Sequence, residues 1–115
     1  MGDEECVTMD DTWSGVERLR RWLDLSPGQA AAGDVRVLRV LKISEEVGEV
    51  SEALTGVLGA NPRKGESHTW QDVETELCDV IVSAMVALST ITPDAPKVLD
   101  ERVQRLLKRA LPSSR

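Results

Sequence analysis

Acidic residues recur at three-residue spacing in two separate stretches of this sequence. The first stretch contains Glu45, Glu46, Glu49 and Glu52, and the second contains Asp72, Glu74, Glu76 and Asp79. Residues three apart on an α-helix lie about 60° apart around its axis, with Cβ atoms about 5–6 Å apart. This spacing pairs Glu46 with Glu49 on one helical face. It pairs Glu76 with Asp79 on another.

Two such pairs on facing helices would bring four carboxylates together, and this arrangement predicts a divalent metal site. Partly buried like charges raise one another's pKa unless a cation lies among them. Mg²⁺ suits the ligand set because it accepts carboxylate oxygens, keeps several waters and completes its shell with phosphate oxygens. Mn²⁺ is the expected substitute. The alternative is that these acids are the solvated faces of two amphipathic helices.

A glycine lies inside the first acidic turn, at Gly48. Glycine in a helix interior costs about 1 kcal/mol relative to alanine. Its presence would let a ligand or a neighbouring helix approach closely, and ordinary helix packing is the alternative reason for it.

The elements that must position these acids are predicted from apolar periodicity and helix caps. Ser14 and Glu17 fit a capping box for a first helix that ends near Pro27. Asp34 can cap a long second helix, which Gly59 ends. This second helix has apolar residues at helical spacing, which predict a buried stripe: Val40, Ile43, Val47, Val50, Leu54 and Val57.

Two further helices follow in the second half of the chain. Thr69 and Asp72 fit another capping box, and the third helix should end near Thr90. Thr92 and Pro93 favour the start of a fourth helix before Leu111. Apolar residues at helical spacing support both: Val73, Leu77, Val80, Ala84 and Leu88 in the third, and Val98, Val103, Leu106 and Leu107 in the fourth. We therefore expect an all-α antiparallel four-helix bundle with the second and third helices as its central pair.

Length and composition indicate one small domain. The chain has 115 residues, of which 41% are hydrophobic, with three Trp and neither Phe nor Tyr. We divide it into an acidic, flexible tail at 1–12, a helical domain at 13–111 and a polar end at 112–115. Because a short chain with an aliphatic core buries little surface alone, we expect a homodimer or homotetramer.

The charge balance excludes several classes of partner. A net charge of −6 argues against binding to nucleic acid or to an anionic membrane, since both are held mainly by Lys and Arg. The longest nearly apolar run, Val80 to Leu88, is far shorter than the ~20 residues of a membrane-spanning helix. The acidic N-terminus does not resemble a signal peptide. We expect a cytoplasmic protein.

The acidic motifs resemble those of a known superfamily. Glu45-Glu46-Val47-Gly48-Glu49 is followed, after 26 residues, by Glu76-Leu77-Cys78-Asp79. This order resembles the EExxE and ExxD pair of the all-α nucleotide pyrophosphohydrolases, which include MazG, the dimeric dUTPases and the dCTP pyrophosphatases. The resemblance covers about residues 13 to 109 and is strongest to short, MazG-like proteins.

The resemblance implies Mg²⁺-dependent hydrolysis of a nucleoside triphosphate to the monophosphate and pyrophosphate. The family's metal ligands correspond to four acids of this chain: Glu46, Glu49, Glu76 and Asp79. Glu45 is then the candidate to orient or deprotonate the attacking water, or else it supports a ligand from outside the coordination shell. A nucleotide sensor without turnover and a helical protein-interaction module are the rival functions.

Four further residues are candidates for contacts with the substrate. Lys42 could reach a phosphate from the face of Glu46, or simply pair with a neighbouring glutamate. Arg63 and Lys64 lie in a loop that could cover the triphosphate, although exposed basic loops are common. Trp22 could stack on the base, because the first helix often lines the base pocket in this superfamily; a core or subunit-contact role is the alternative.

Overall fold

A computed structural model describes residues 8–28, 33–59, 62–63 and 65–111. Four long helices account for most of these residues: α1 (Met9–Asp24), α2 (Val35–Leu58), α3 (Trp70–Ile91) and α4 (Ala95–Ala110). The described residues contain no β-strand. The predicted all-α, bundle-like fold is therefore confirmed.

The first helix begins earlier than the sequence predicts. Thr8 is its N-cap: the Thr8 hydroxyl accepts the Asp11 amide at 3.2 Å, and the Asp11 carboxylate accepts the Thr8 amide at 3.3 Å. Ser14 is therefore an interior residue of α1 and not its cap. The helix takes in residues 9–12, which the prediction assigned to the tail, whereas residues 1–7 lie outside the described part of the chain.

The predicted ends of α2 and the start of α3 are confirmed. Asp34 caps α2 by accepting the Arg36 amide at 2.9 Å, and Gly59 ends the helix in the left-handed conformation that glycine tolerates best, with φ 65°. Thr69 and Asp72 form the capping box of α3. Each of these signals is local, which is why the sequence alone reveals it.

The fourth helix starts two residues later than predicted. Asp94, not Thr92, occupies its N-cap position, and Pro96 lies in the first turn. Thr92 ends α3 instead, and its hydroxyl accepts the Asp94 amide at 3.1 Å. This short turn bends the chain by 115° between α3 and α4.

The central pair is α2 and α3, which pack against each other along most of their length. At one end the Arg39 guanidinium donates to the Thr90 hydroxyl at 2.9 Å. At the other end the Ser67 amide donates to the Gly56 carbonyl at 3.0 Å, and a Cβ on Gly56 would lie 2.0 Å from His68 Nδ1. Contacts between opposite ends of the two helices make the pair antiparallel, as predicted.

The apolar stripes predicted to be buried are only partly so. On α2 the fully buried positions are Arg39, Glu46, Ala53 and Gly56, while Ile43, Val50 and Val57 are half-buried. The remaining apolar residues of α2 form an exposed line, the outer stripe of α2: Val37, Val40, Leu41, Val47, Leu54 and Leu58. The outer stripe of α3 is likewise exposed and consists of Trp70, Leu77 and Ile81. The prediction was wrong for Val40, Val47, Leu54 and Leu77, because neither stripe faces a described helix.

The buried core is small and lies between α1 and α3. Val16 of α1 packs with Met85 and Val86 of α3. Three partly buried residues surround this cluster: Trp13, Leu23 and Val82. This cluster lies toward the C-terminal half of α3, while Glu76, in the N-terminal half, lies against acids of α2.

Among the described helices, no single one combines the length and the apolar character that a membrane crossing requires. Only α3 and α4 counted together reach that length and composition, and the bend of 115° separates them.

A buried arginine joins three helices. Arg39 is 5% exposed, and its guanidinium lies 2.8 Å from the Asp24 carboxylate at the end of α1. The same side chain donates to Thr90 at the end of α3. Charge-assisted hydrogen bonds are about twice as strong as neutral ones, so this residue fixes the packing of α1 on the central pair.

We expect Arg39→Met to lower the free energy of unfolding by about 1–3 kcal/mol, because it removes charge-assisted bonds from a buried position. The loss should stay at this level, since Asp24 is partly exposed and keeps its ion pair with Arg20. Urea unfolding measures the change. Arg36→Met is the matched control on the same helix: its partner Asp34 and Arg36 itself are exposed, so we expect a change within about 0.5 kcal/mol. Equal effects would contradict the structural role of Arg39.

Candidate metal centre

Three of the predicted ligands meet at the interface between α2 and α3. Carboxylate oxygens of Glu46, Glu49 and Glu76 lie within 4.8 Å of one another. The three-residue spacing on α2 puts two of them on one face, and the antiparallel partner helix supplies the third. The predicted pairing of acids across the two helices is therefore present in the fold.

The fourth predicted ligand, Asp79, lies at the edge of this group. It is exposed and does not belong to the closest set of three oxygens. Its charge nevertheless acts on Glu76, whose pKa it helps to raise. Because Glu46 is buried, Glu76 half-buried and Glu49 exposed, the cluster opens to solvent on one side.

Crowding of like charges gives Glu76 an unusual environment. Burial raises the pKa of Glu76, and the negative charges of Glu49, Asp79 and Glu46 raise it further. Among the described residues, no hydrogen-bond donor contacts its Oε2 atom, which is shielded from solvent. A buried, unpartnered carboxylate oxygen among other carboxylates is a costly arrangement for the protein alone.

These features fit a hard divalent cation. All the donors are carboxylate oxygens, which suit Mg²⁺ and Mn²⁺, and the exposed side of the cluster leaves room for water or phosphate ligands. A bound cation would favour the charged form of Glu76 and provide a partner for Oε2.

Lys42 is the cation closest to the cluster among the ion pairs of α2. Its ammonium lies 3.4 Å from Glu46 Oε1 and 3.9 Å from Glu45 Oε1. This contact agrees with the alternative in which Lys42 pairs with a neighbouring glutamate. Half-exposed pairs of this type contribute little, about 0–1 kcal/mol, so Lys42 can exchange Glu46 for another anion at small cost.

Glu45 stands apart from the three clustered carboxylates. Its side chain is 69% exposed and points about 100° away from Glu46 around the helix. Its ion pair with Lys42 holds it at the solvent side of the same turn. This geometry separates the two adjacent glutamates, as the sequence predicts.

A mostly apolar cavity of about 250 Å³ reaches Lys42, the residue that pairs with Glu46 of the cluster. Residues of α1, α2 and α3 line it: Leu19, Trp22, Leu23, Leu38, Arg39, Lys42, Val82, Ser83 and Val86. Lys42 thus borders the cavity and also contacts Glu46. Trp22 is 65% exposed and so has a ring face available to a ligand. The cavity is somewhat smaller than typical pockets for drug-sized ligands, about 300–1,000 Å³, and suits a small planar group.

Of the two basic loop residues, only Arg63 belongs to the described part of the chain. Arg63 follows the end of α2, whose last residue lies about 14 Å along the helix from Glu49. Lys64 lies outside the described residues. A role for either in binding phosphate stays a prediction.

Two residues of the site region were missed by sequence reasoning. Arg39 forms part of the cavity wall, and Ser83 adds a hydroxyl. One signal for Arg39 was present, because it lies seven residues before Glu46 and fourteen before Ala53, and all three share the inner face of α2. No comparable signal distinguished Ser83 within its apolar surroundings.

Comparisons with known proteins add no relative. No protein-family model matches this chain, and no curated protein and no solved structure matches it.

We expect Glu76→Gln to abolish stabilisation by Mg²⁺ or Mn²⁺ without unfolding the protein. In the wild type, free metal at 100 times its Kd should add about 2.7 kcal/mol of stability. The variant removes a repelled charge, so its metal-free stability should equal or exceed that of the wild type. Thermal unfolding with and without metal measures both effects.

Glu74→Gln is the matched control, because Glu74 is an exposed acid on the same helix outside the cluster. It should keep the full response to metal. A Glu76→Gln variant that responds to metal as the wild type does would rule out this cluster as the binding site.

Proposed function

We propose that this chain is a Mg²⁺-dependent nucleoside triphosphate pyrophosphohydrolase of the MazG-like kind, which releases a nucleoside monophosphate and pyrophosphate. The observation that carries the proposal is that one residue, Lys42, links two sites of different chemistry. Lys42 lines an apolar cavity suited to a base and contacts Glu46 of a carboxylate cluster suited to a metal–phosphate group. A nucleotide combines a planar base and a phosphate chain in this way.

In the proposed complex the base enters the cavity and stacks on Trp22. An exposed indole beside apolar side chains offers a face for such stacking. The phosphate chain then extends toward Glu46, Glu49 and Glu76. Lys42 exchanges its contact with Glu46 for a phosphate oxygen, which requires only rotation of a half-exposed side chain.

The metal is assigned to Glu46, Glu49, Glu76 and Asp79. Bound Mg²⁺, or Mn²⁺ in its place, would neutralise phosphate oxygens, offset the charge on the departing pyrophosphate and lower the pKa of a bound water. Asp79 is the least enclosed of the four acids, so its contribution requires a small movement toward the cluster or a bridging water.

Glu45 is proposed as the base. Its exposed carboxylate lies on the solvent side of the cluster, where an attacking water would enter. Glu45 accepts one proton of the attacking water. At the same time the water oxygen bonds to phosphorus, and the bond from phosphorus to the pyrophosphate oxygen breaks. The proton then leaves to solvent, to which this side chain has direct access.

The chain is further proposed to act as a homodimer or homotetramer. The outer stripes of α2 and α3 leave large apolar side chains in water, while the buried core of one chain is small. The outer stripe of α2 lies about 80–180° around the helix from Glu46, so a second copy could cover it without closing the site. Symmetric pairing of both stripes would enlarge the core.

Pyrophosphate release from canonical and damaged nucleoside triphosphates, with and without Mg²⁺, tests the activity. We expect metal-dependent turnover by the wild type. Glu46→Gln should lose metal binding and turnover together, because Glu46 is buried in the cluster. Glu45→Gln should lower turnover about 10²–10⁴-fold while metal affinity stays near the wild-type value.

Similar behaviour of these two variants would refute the division of roles between the adjacent glutamates. Nucleotide binding without turnover by the wild type would favour the sensor instead. A wild type that neither binds nor hydrolyses nucleotides would favour the protein-interaction module.

Light scattering tests the assembly. We expect a particle of at least twice the chain mass of 12.6 kDa at micromolar concentration. Leu77→Glu should dissociate it, because a charge would enter the apolar contact. Leu25→Glu is the matched control, since Leu25 is exposed outside both outer stripes, and should leave the assembly intact. A wild-type particle of single-chain mass would contradict the proposal.

A further inference from the structure

The last helix extends away from the body of the molecule with its apolar side uncovered. From Asp100 to Ala110 every residue of α4 is exposed, and the bend of 115° directs the helix away from α3. Large apolar side chains nevertheless recur along one face: Val98, Val103, Leu106 and Leu107. Among the described helices, α3 is the main neighbour of α4, and the contact between them is slight. Helices with such a stripe normally bury it.

The charge of α4 is opposite to that of the rest of the chain. Five cations and two acids give α4 a charge of +3, and because the whole chain carries −6, the remainder carries −9. The cations are not evenly spread around the helix. Arg102 and Arg109 lie within about 80° of the centre of the apolar face, whereas Lys97 and Lys108 lie on the opposite side. Arg102 and Arg109 thus form one edge of the apolar face, called the arginine edge below.

The outer stripe of α2 has a complementary edge. Glu45 and Glu52 are both exposed and lie within about 60° of Leu41 and Gly48 around the helix. These two acids are seven residues apart, as are Arg102 and Arg109, so each pair spans about 10.5 Å of helix. Nothing lies within 4 Å of a Cβ built on Gly48, so the position between the acids is open to an approaching side chain.

We propose that α4 docks on a second copy of this chain, along the acidic edge of the outer stripe of α2. The arginine edge then faces Glu45 and Glu52, and the apolar face of α4 covers part of the apolar stripe. In a two-fold dimer the exchange is reciprocal, so each chain both contributes and receives a helix. The contact would border the proposed site at Glu45, so the test below measures assembly and not turnover.

An anionic membrane is the other surface that an amphipathic basic helix can bind. Two observations favour a second copy. The remaining −9 of charge would be repelled from an anionic lipid surface close to α4. The apolar face of α4 also contains no aromatic residue, which interfacial helices commonly use for anchoring.

Sedimentation velocity of the full chain over a dilution series tests the proposal. The double variant Arg102→Glu with Arg109→Glu should raise the Kd of the assembly at least about tenfold, because attraction becomes repulsion at a contact that symmetry repeats. Lys97→Glu with Lys108→Glu makes the same change in charge on the opposite side of α4. This control should shift the Kd less than about threefold.

A rescue variant guards against simple misfolding. Adding Glu52→Arg to the Arg102→Glu, Arg109→Glu chain should recover about half of the lost binding free energy. One of the new acids would face the new arginine whichever way α4 runs, while the other would still face Glu45. Circular dichroism should show equal helicity throughout. Equal effects of the two double variants, or failure of the rescue, would overturn the proposal. The proposal would also be overturned if the wild type sedimented with phosphatidylglycerol vesicles, and the Arg102→Glu, Arg109→Glu variant lost this sedimentation but still assembled.

Discussion

Repulsion among three carboxylates at the interface of α2 and α3 is the constraint on which the rest of the structure depends. Glu46, Glu49 and Glu76 would separate if the helices were free to move, yet contacts at both ends hold the pair together. Gly56 accepts the close approach of His68 at one end, and Arg39 binds Thr90 at the other. The packing therefore keeps a site whose charges favour a cation, and burial together with the neighbouring acids raises the pKa of Glu76.

The acid pairs could be predicted because helix periodicity relates residues on the same helix. It gives the angle between Glu46 and Glu49 around the helix axis, but it does not show which face of that helix packs against a neighbouring helix. The burial of Val40, Val47 and Leu77 was therefore predicted wrongly: each is apolar at the right spacing, but faces away from the partner helix. The same uncertainty of rotation put Asp79 inside the predicted cluster, although it lies at the edge.

Helix starts show a second limit of local reasoning, because two capping patterns can compete within a few residues. Thr8 with Asp11 and Ser14 with Glu17 both fit, and only the first is used. Glu17 instead forms an ion pair with Arg20, whose hydrogen bond lowers the pKa of Glu17 to about 2, and it accepts a hydrogen bond from Ser89 of α3. That last contact joins residues far apart in sequence, so no local pattern could have predicted it. The ion pair between buried Arg39 and exposed Asp24 is hidden from local patterns for the same reason.

Whether the clustered carboxylates hold a divalent ion is decided most directly by crystals grown with Mn²⁺ and a nonhydrolysable nucleoside triphosphate. Anomalous scattering locates manganese without assumptions about the ligands. We predict an anomalous peak for manganese between Glu46, Glu49 and Glu76, about 2.1 Å from their carboxylate oxygens. The phosphate chain should lie on the open side of the cluster. Bound nucleotide with no anomalous peak among these three carboxylates would contradict it.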